Sequence, residues 1–134
     1  MWMDSGNLIL QRLDSLYKYI NQSGIYSNDS GGTILEWTHP KTLEYMNCNC
    51  FLQNICKSAA CIGLNTKIEW VKSFIDEFKK LALIKECIAP EGSNRLNHRQ
   101  DQAIFNILFY KYKKIYKFPR IPIFFLNIMK RVVK

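Results

Sequence analysis

Ser58-Ala59-Ala60-Cys61-Ile62-Gly63-Leu64-Asn65-Thr66-Lys67-Ile68-Glu69-Trp70-Val71-Lys72-Ser73-Phe74-Ile75-Asp76-Glu77-Phe78-Lys79-Lys80-Leu81 changes character part-way along. Up to Leu64 it is compact and apolar, the pattern of a buried strand. From Ile68 the apolar residues fall at Ile68, Val71, Phe74, Ile75, Phe78 and Leu81, one stripe of an amphipathic helix reaching about Leu83. Asn65 or Thr66 stands where an N-cap belongs, with Glu69 near capping-box distance. A buried strand followed at once by an amphipathic helix points to an α/β fold.

Working back toward the N-terminus, Pro40 after His39 suits the first turn of a short helix with Leu43 and Met46 on its apolar side. Thr33-Ile34-Leu35-Glu36-Trp37 reads as a strand or extended segment, and Asp29-Ser30-Gly31-Gly32 as a turn or flexible loop. Leu8, Ile9, Leu13, Leu16, Tyr17 and Ile20 recur at helical spacing, and Gly24 sits where a helix-stopping glycine is expected. Met1 to Met3 reads as the end of a buried strand. Toward the C-terminus, Ile88-Ala89-Pro90-Glu91-Gly92-Ser93 breaks the helix begun at Ile68. A last helix runs from about Arg99 to Tyr116, with Ile104, Ile107, Leu108 and Tyr112 (or Lys111) facing the core. Phe118-Pro119-Arg120-Ile121-Pro122 stops it.

The chain has 134 residues, 48% of them apolar, which suits one domain or a piece of one. No run of about 18 apolar residues is present, so no transmembrane helix is expected, and no signal peptide is visible. The net charge of +8 is concentrated at one end. Beyond Asp101 there is no acidic residue, while Lys111, Lys113, Lys114, Lys117, Arg120, Lys130, Arg131 and Lys134 are all basic. The expected organisation is a domain over residues 1–117 and a basic amphipathic tail over 118–134. That tail carries Ile123, Phe124, Phe125, Leu126, Ile128 and Met129 between basic residues, a composition suited to an anionic membrane surface or to packing back on the domain. Lys111-Tyr112-Lys113-Lys114-Ile115-Tyr116-Lys117 interleaves cations and aromatics as single-stranded nucleic-acid binders do. No nucleic-acid fold motif accompanies it, and nucleic acid ranks last among the partners.

Cys48, Cys50, Cys56, Cys61 and Cys87 are odd in number and lack paired C-x2-C knuckles, which argues for free thiols over a disulfide framework or zinc site.

The densest chemistry lies in Asn94-Arg95-Leu96-Asn97-His98-Arg99-Gln100-Asp101-Gln102-Ala103-Ile104-Phe105-Asn106, where six polar residues from Asn97 to Gln102 lead into the last helix. Such a cluster exceeds what a helix cap needs and reads as a ligand site, against the plainer alternative of a polar first turn with Asp101 on the helix dipole. Gly92-Ser93-Asn94 forms a loop able to wrap a ligand.

Trp2-Met3-Asp4-Ser5-Gly6-Asn7, Glu36-Trp37-Thr38-His39-Pro40, Ile88 through Asn94 and His98 through Gln102 occur in an order that resembles the C-terminal half of nucleotide-diphospho-sugar transferases, the GT-A class of glycosyltransferases. The resemblance covers about residues 1 to 115. It implies an α/β fold with a partial GT-A-like mixed sheet and flanking helices, the N-terminal nucleotide-binding βαβ region being missing. It further implies transfer of a hexose from a nucleotide-sugar donor to a hydroxyl of a glycan, lipid or protein, by an enzyme that is truncated or split. In that class a strand ends in an Asp-x-Asp motif holding a divalent metal on the donor diphosphate, where the metal neutralises charge on the leaving group. Asp4 matches the first acid. Gly6 stands at the second, which leaves Mn²⁺ or Mg²⁺ with one carboxylate and a weaker site. Asp101 would act as a general base toward the acceptor or orient the donor sugar, and Gln102 would bind sugar hydroxyls. His98 is a further candidate metal ligand and Arg99 a fixed positive charge for the diphosphate. Ser93 and Asn94, with Trp37 and His39, are the donor- or acceptor-binding candidates, Trp37 as a sugar-stacking ring or a core residue. The alternative is a non-catalytic binding or membrane-surface module built on the same half-fold.

Overall fold

The computed structural model describes residues 1–121 and, as backbone, Met129–Arg131. Along the chain run β1 (Trp2–Met3), β2 (Asn7–Ile9), α1 (Asp14–Ser23), β3 (Ile25–Thr33), α2 (Ile34–Trp37), α3 (Pro40–Tyr45), β4 (Ile55–Leu64), α4 (Glu69–Ala82), α5 (Lys85–Ile88), α6 (Gln100–Tyr116) and β5 (Met129–Arg131). The fold is α/β. Three strands form a sheet in the order β1-β4-β3, and β2 pairs with β5 in a second, two-stranded sheet. Every described pairing is antiparallel, in place of the mixed sheet expected.

The period-2 alternation of a strand distributes its side chains to two cores. On β3, Ile25 joins Phe74, Ile104, Phe105, Leu108 and Phe109 on the side of α4 and α6. The next residue, Tyr26, joins Leu16, Tyr19 and Ile20 of α1. On β4, Cys61 faces α1 while Ile62 and Leu64 pack toward α4 and α6. The central sheet thus lies between α1 on one face and the α4–α6 pair on the other. Phe74 and Phe105, each 2% exposed, meet edge to face at 5.7 Å across the α4–α6 interface. Each such buried aromatic contributes roughly 1.5–3 kcal/mol by area, and the ring pair about 0.5–1.5 kcal/mol more.

One glycine fixes how α1 enters the sheet. Gly24, at φ 79°, ends α1 as its C-cap, and its N–H donates to Ile20 O at 2.8 Å. A Cβ there would stand 2.5 Å from the Trp70 ring, so both the backbone angle and the packing demand glycine.

The strand at Ser58–Leu64, the helix begun near Ile68, the short helix after His39 and the helix ending at Tyr116 match their expectations. Five local readings change. Ile34–Trp37 is helical because Thr33 and Glu36 close a capping box, with Thr33 N–H donating to Glu36 Oε2 at 2.6 Å and Glu36 N–H to Thr33 Oγ1 at 3.3 Å. Leu8 and Ile9 belong to β2, since long-range pairing with β5 takes them out of the helical register. Asp29–Gly32 continues β3 across register shifts, with Gly31 and Gly32 at positive φ. Ile68, not Asn65 or Thr66, is the N-cap of α4; Asn65 Oδ1 accepts from Lys67 N–H at 3.0 Å and forms a turn before the helix. β1 is an exposed edge, with Trp2 64% exposed, where a buried strand end was expected.

The stretch read as a basic tail falls partly outside the described residues, at 122–128 and 132–134. Its described part touches the domain: Phe118 stacks on Trp70 at 5.5 Å, Tyr19 Oη donates to Pro119 O at 2.8 Å, and β5 pairs with β2. Among the described residues no helix is long and apolar enough to cross a membrane. Tyr112, part of the basic and aromatic run, is buried and donates to Glu77 at 3.0 Å, so its face is not offered to a nucleobase.

Candidate functional site

β1 is short, so it covers only the Cys61–Ile62 part of β4. Past it the chain turns sharply. Asp4 N–H donates to Ala60 O at 2.9 Å, Asn7 N–H closes the turn on Asp4 O at 3.1 Å, and Asn7 Nδ2 donates to Ala60 O at 3.0 Å. Asn7 therefore locks Asp4 at the end of the strand and leaves its carboxylate exposed beside the uncovered edge of β4.

The start of α6 reaches the same edge. Asn106 is fully buried, and its side chain pairs with both backbone groups of Lys57 on β4: Oδ1 accepts from Lys57 N–H, and Nδ2 donates to Lys57 O at 3.0 Å and to Gln102 O at 2.7 Å. One turn earlier, Gln102 Nε2 donates to the same Lys57 O at 2.8 Å and to Ser30 Oγ at 2.7 Å. Two amides four residues apart on one helix face thus bolt α6 to β4 where the β3–β4 register slips and the strand's polar groups need partners.

Between these parts lies a cleft of about 760 Å³ lined by Asp4, Arg99, Asp101 and Gln102, with Trp2 and Ser30 among its walls. Asp4 and Asp101, far apart in sequence, share it. Neither carboxylate has an ion-pair partner among the described residues; Asp101 Oδ1 accepts from Gln102 N–H at 2.9 Å. Arg99 is held rigidly: its guanidinium lies 3.7 Å from the centroid of the Trp37 ring, and its backbone N–H donates to Trp37 O at 3.1 Å. Its charge is not neutralised by any acid among the described residues, which leaves it free for an anion.

The remaining expected site residues lie elsewhere. Ser93, Asn94 and His98 line a second cleft of about 550 Å³ that shares Arg99 with the first. Asn94 is engaged within its own loop, its Oδ1 accepting from Leu96 N–H at 2.8 Å. His98 is not placed as a metal ligand. It is 2% exposed, its Nδ1 accepts from His39 N–H at 3.2 Å, and its Nε2–H donates to Ile88 O at 3.2 Å. Both ring nitrogens are committed, and the imidazole brackets α3, α5 and α6 together. Burial pushes its pKa below the ordinary 6.5, helped by the neighbouring His39, against the upward pull of the backbone bonds. His39 caps α3 through Nδ1, which accepts from Lys41 N–H at 3.3 Å, and does not line the first cleft. Trp37 is half-buried, with Arg99 over its ring and Gly32 so close that a Cβ there would fall 2.0 Å from its indole nitrogen. It positions Arg99, and no open ring face is available for a sugar on that side.

Trp2 and Ser30 line the first cleft although neither was expected among the site residues. Trp2 was legible as a residue two positions before Asp4 on the same edge; Ser30 was not, because a strand irregularity brings it to Gln102. No group of three or more His, Cys, Asp and Glu side chains converges on a point among the described residues. A divalent ion in this cleft would therefore draw on Asp4 and take its other oxygens from the ligand and water.

Comparison with family models, curated proteins and solved structures finds no match to this chain.

Proposed function

We propose that this chain is a glycosyltransferase-like protein that binds a nucleotide-sugar donor in the Asp4–Asp101 cleft and moves its hexose to a hydroxyl acceptor. The observation that carries the reading is the meeting of Asp4, Arg99, Asp101 and Gln102 on one cleft. In this reading the partial GT-A-like arrangement expected from the sequence supplies the strand-end acid and the polar helix start to one ligand. Arg99, fixed over Trp37, neutralises diphosphate charge as the bond to the sugar breaks. Asp4 would hold Mn²⁺ or Mg²⁺ on the same diphosphate, and the metal would supply Lewis-acid stabilisation of the leaving group. Asp101, exposed and unpaired among the described residues, takes the proton of the acceptor hydroxyl or hydrogen-bonds the donor sugar. Gln102 acts chiefly through position: its amide N–H groups are engaged with Ser30 and Lys57, leaving Oε1 to accept from a sugar hydroxyl. Trp2, exposed at the wall, offers the stacking face that Trp37 does not.

The second reading is a non-catalytic binding module, favoured by Gly6 at the position of a second metal-binding acid. One titration separates the readings. Thermal unfolding is followed with a panel of nucleotide sugars, with and without Mn²⁺. The enzyme reading expects a Mn²⁺-dependent rise in Tm that is lost in Asp4→Ala and Asp101→Ala, with donor turnover lost in both. A rise without turnover supports the binding module. No rise with any donor, in folded protein, overturns both.

A further inference from the structure

A second polar cavity lies away from the donor cleft, where α6 ends. It has a volume of about 340 Å³ and is lined by Tyr19, Asp29, Lys57, Phe109, Lys113 and the segment Phe118–Ile121. The chain builds this place deliberately. Lys117, at φ 48°, ends α6 in the left-handed conformation, and its N–H donates to Lys113 O at 2.9 Å. Phe118 then turns inward against Trp70 and Phe109, and Tyr19 Oη holds Pro119 O at 2.8 Å. These contacts set Arg120 at the cavity wall.

Three cations and one acid therefore face a single small cavity. The Lys57 side chain is 10% exposed, ion-paired with Asp29, and its ammonium lies 5.5 Å from the Phe109 ring centroid. That pair is internally neutral. Lys113 and Arg120 remain, and neither has an ion-pair partner among the described residues. The pKa of the half-buried Lys113 is lowered, first by burial and then by Lys57 and Arg120, with Asp29 pulling the other way. The surplus of two positive charges matches a phosphate dianion. Arginine and lysine differ in what they offer it, a planar fork against a point charge, and the cavity has both.

We propose that this cavity binds a phosphate group, free or as the phosphomonoester head of a lipid, with Lys113 and Arg120 as its ligands and the Lys57–Asp29 pair as its floor. The site is independent of the donor cleft.

The test uses the full chain with inorganic phosphate, following Tm at constant ionic strength set with chloride. Wild type gains a saturable rise in Tm, and the double variant Lys113→Gln/Arg120→Gln loses it. Arg99→Ala, which alters the donor cleft, keeps the phosphate response, and this separates the two sites. Asp29→Asn removes the one acid and gives a larger phosphate-dependent rise than wild type, a gain that misfolding cannot imitate. Co-sedimentation with phosphatidylcholine vesicles with and without phosphatidic acid identifies the source. Retention on the acidic vesicles by wild type and not by the double variant assigns a lipid head, and phosphate binding without vesicle retention assigns free phosphate. A phosphate response absent from wild type, undiminished in the double variant, or abolished by Arg99→Ala alone overturns the proposal.

Discussion

Replacing Asn106 by alanine removes three hydrogen bonds, two of which fasten the first turns of α6 to β4. Lys57 N–H loses its acceptor in a position without solvent, while Lys57 O keeps Gln102 Nε2 at 2.8 Å. An orphaned buried donor costs about 1–3 kcal/mol. The deleted amide also leaves a small cavity in a fully packed region, which adds about 1 kcal/mol. The expected loss is therefore about 3 kcal/mol, and Tm should fall by roughly 10–15 °C for a chain of this size. Urea unfolding followed by far-UV circular dichroism measures the change through its midpoint, with the slope expected to stay constant. Because Gln102 and Asp101 are on the same first turns of α6, donor binding should weaken along with stability. Asn106→Asp, nearly isosteric, should be no better, since it turns an oxygen toward Lys57 O and Gln102 O. A loss below about 0.5 kcal/mol for Asn106→Ala, a value ordinary for an unimportant surface site, would refute the clamp.

His98 carries a pH prediction with a defined sign. Its folded pKa lies below 6.5, so the unfolded chain binds more protons near that pH, and stability should fall as the pH drops through 6.5. Urea midpoints measured from pH 8 to pH 5 should decline in wild type, and the His98 contribution to that decline should vanish in His98→Gln. Thiol reactivity should split in two. Burial raises the Cys56 and Cys61 thiols to about 11, and Cys48 and Cys87 are also buried, so Cys50 alone should react rapidly with a disulfide reagent in folded protein; Cys50→Ser should abolish that fast phase. Gly24→Ala should cost about 1–3 kcal/mol through its positive φ and its contact with Trp70, read as a shift in the urea midpoint with altered tryptophan fluorescence.

What the sequence disclosed follows from the range of the interactions that decide each element. The period change at Leu64–Ile68 and the apolar stripe of α6 are local, and both elements formed as read. Pro40 after His39 is a local signal too, and the helix begins there with His39 as cap. Thr33–Trp37 was misjudged although its capping box is equally local, because apolar Ile34 and Leu35 weigh toward a strand while the Thr33–Glu36 pair decides for a helix. Pairing of β2 with β5 joins residues more than a hundred positions apart and leaves no local trace. Asp4, Arg99, Asp101 and Gln102 were singled out in the sequence by their chemistry, and all four line one cleft. His98 and the choice left open at Trp37 were not decidable in the sequence for one reason: a polar or aromatic side chain looks alike there whether it meets a ligand or supports a neighbour. His98 supports the α3–α5–α6 junction and Trp37 supports Arg99. Asn106 went unread because a lone buried amide four residues after Gln102 reveals its partner only once β4 is in place.

The most direct test of the donor cleft is paramagnetic broadening of backbone amide signals by Mn²⁺ in the presence of a nucleotide sugar. Signals around Asp4–Asn7 and Arg99–Gln102 should be lost selectively, in dependence on the sugar nucleotide, and should persist in Asp4→Ala. Broadening confined to other parts of the chain, or identical without the nucleotide sugar, would contradict it.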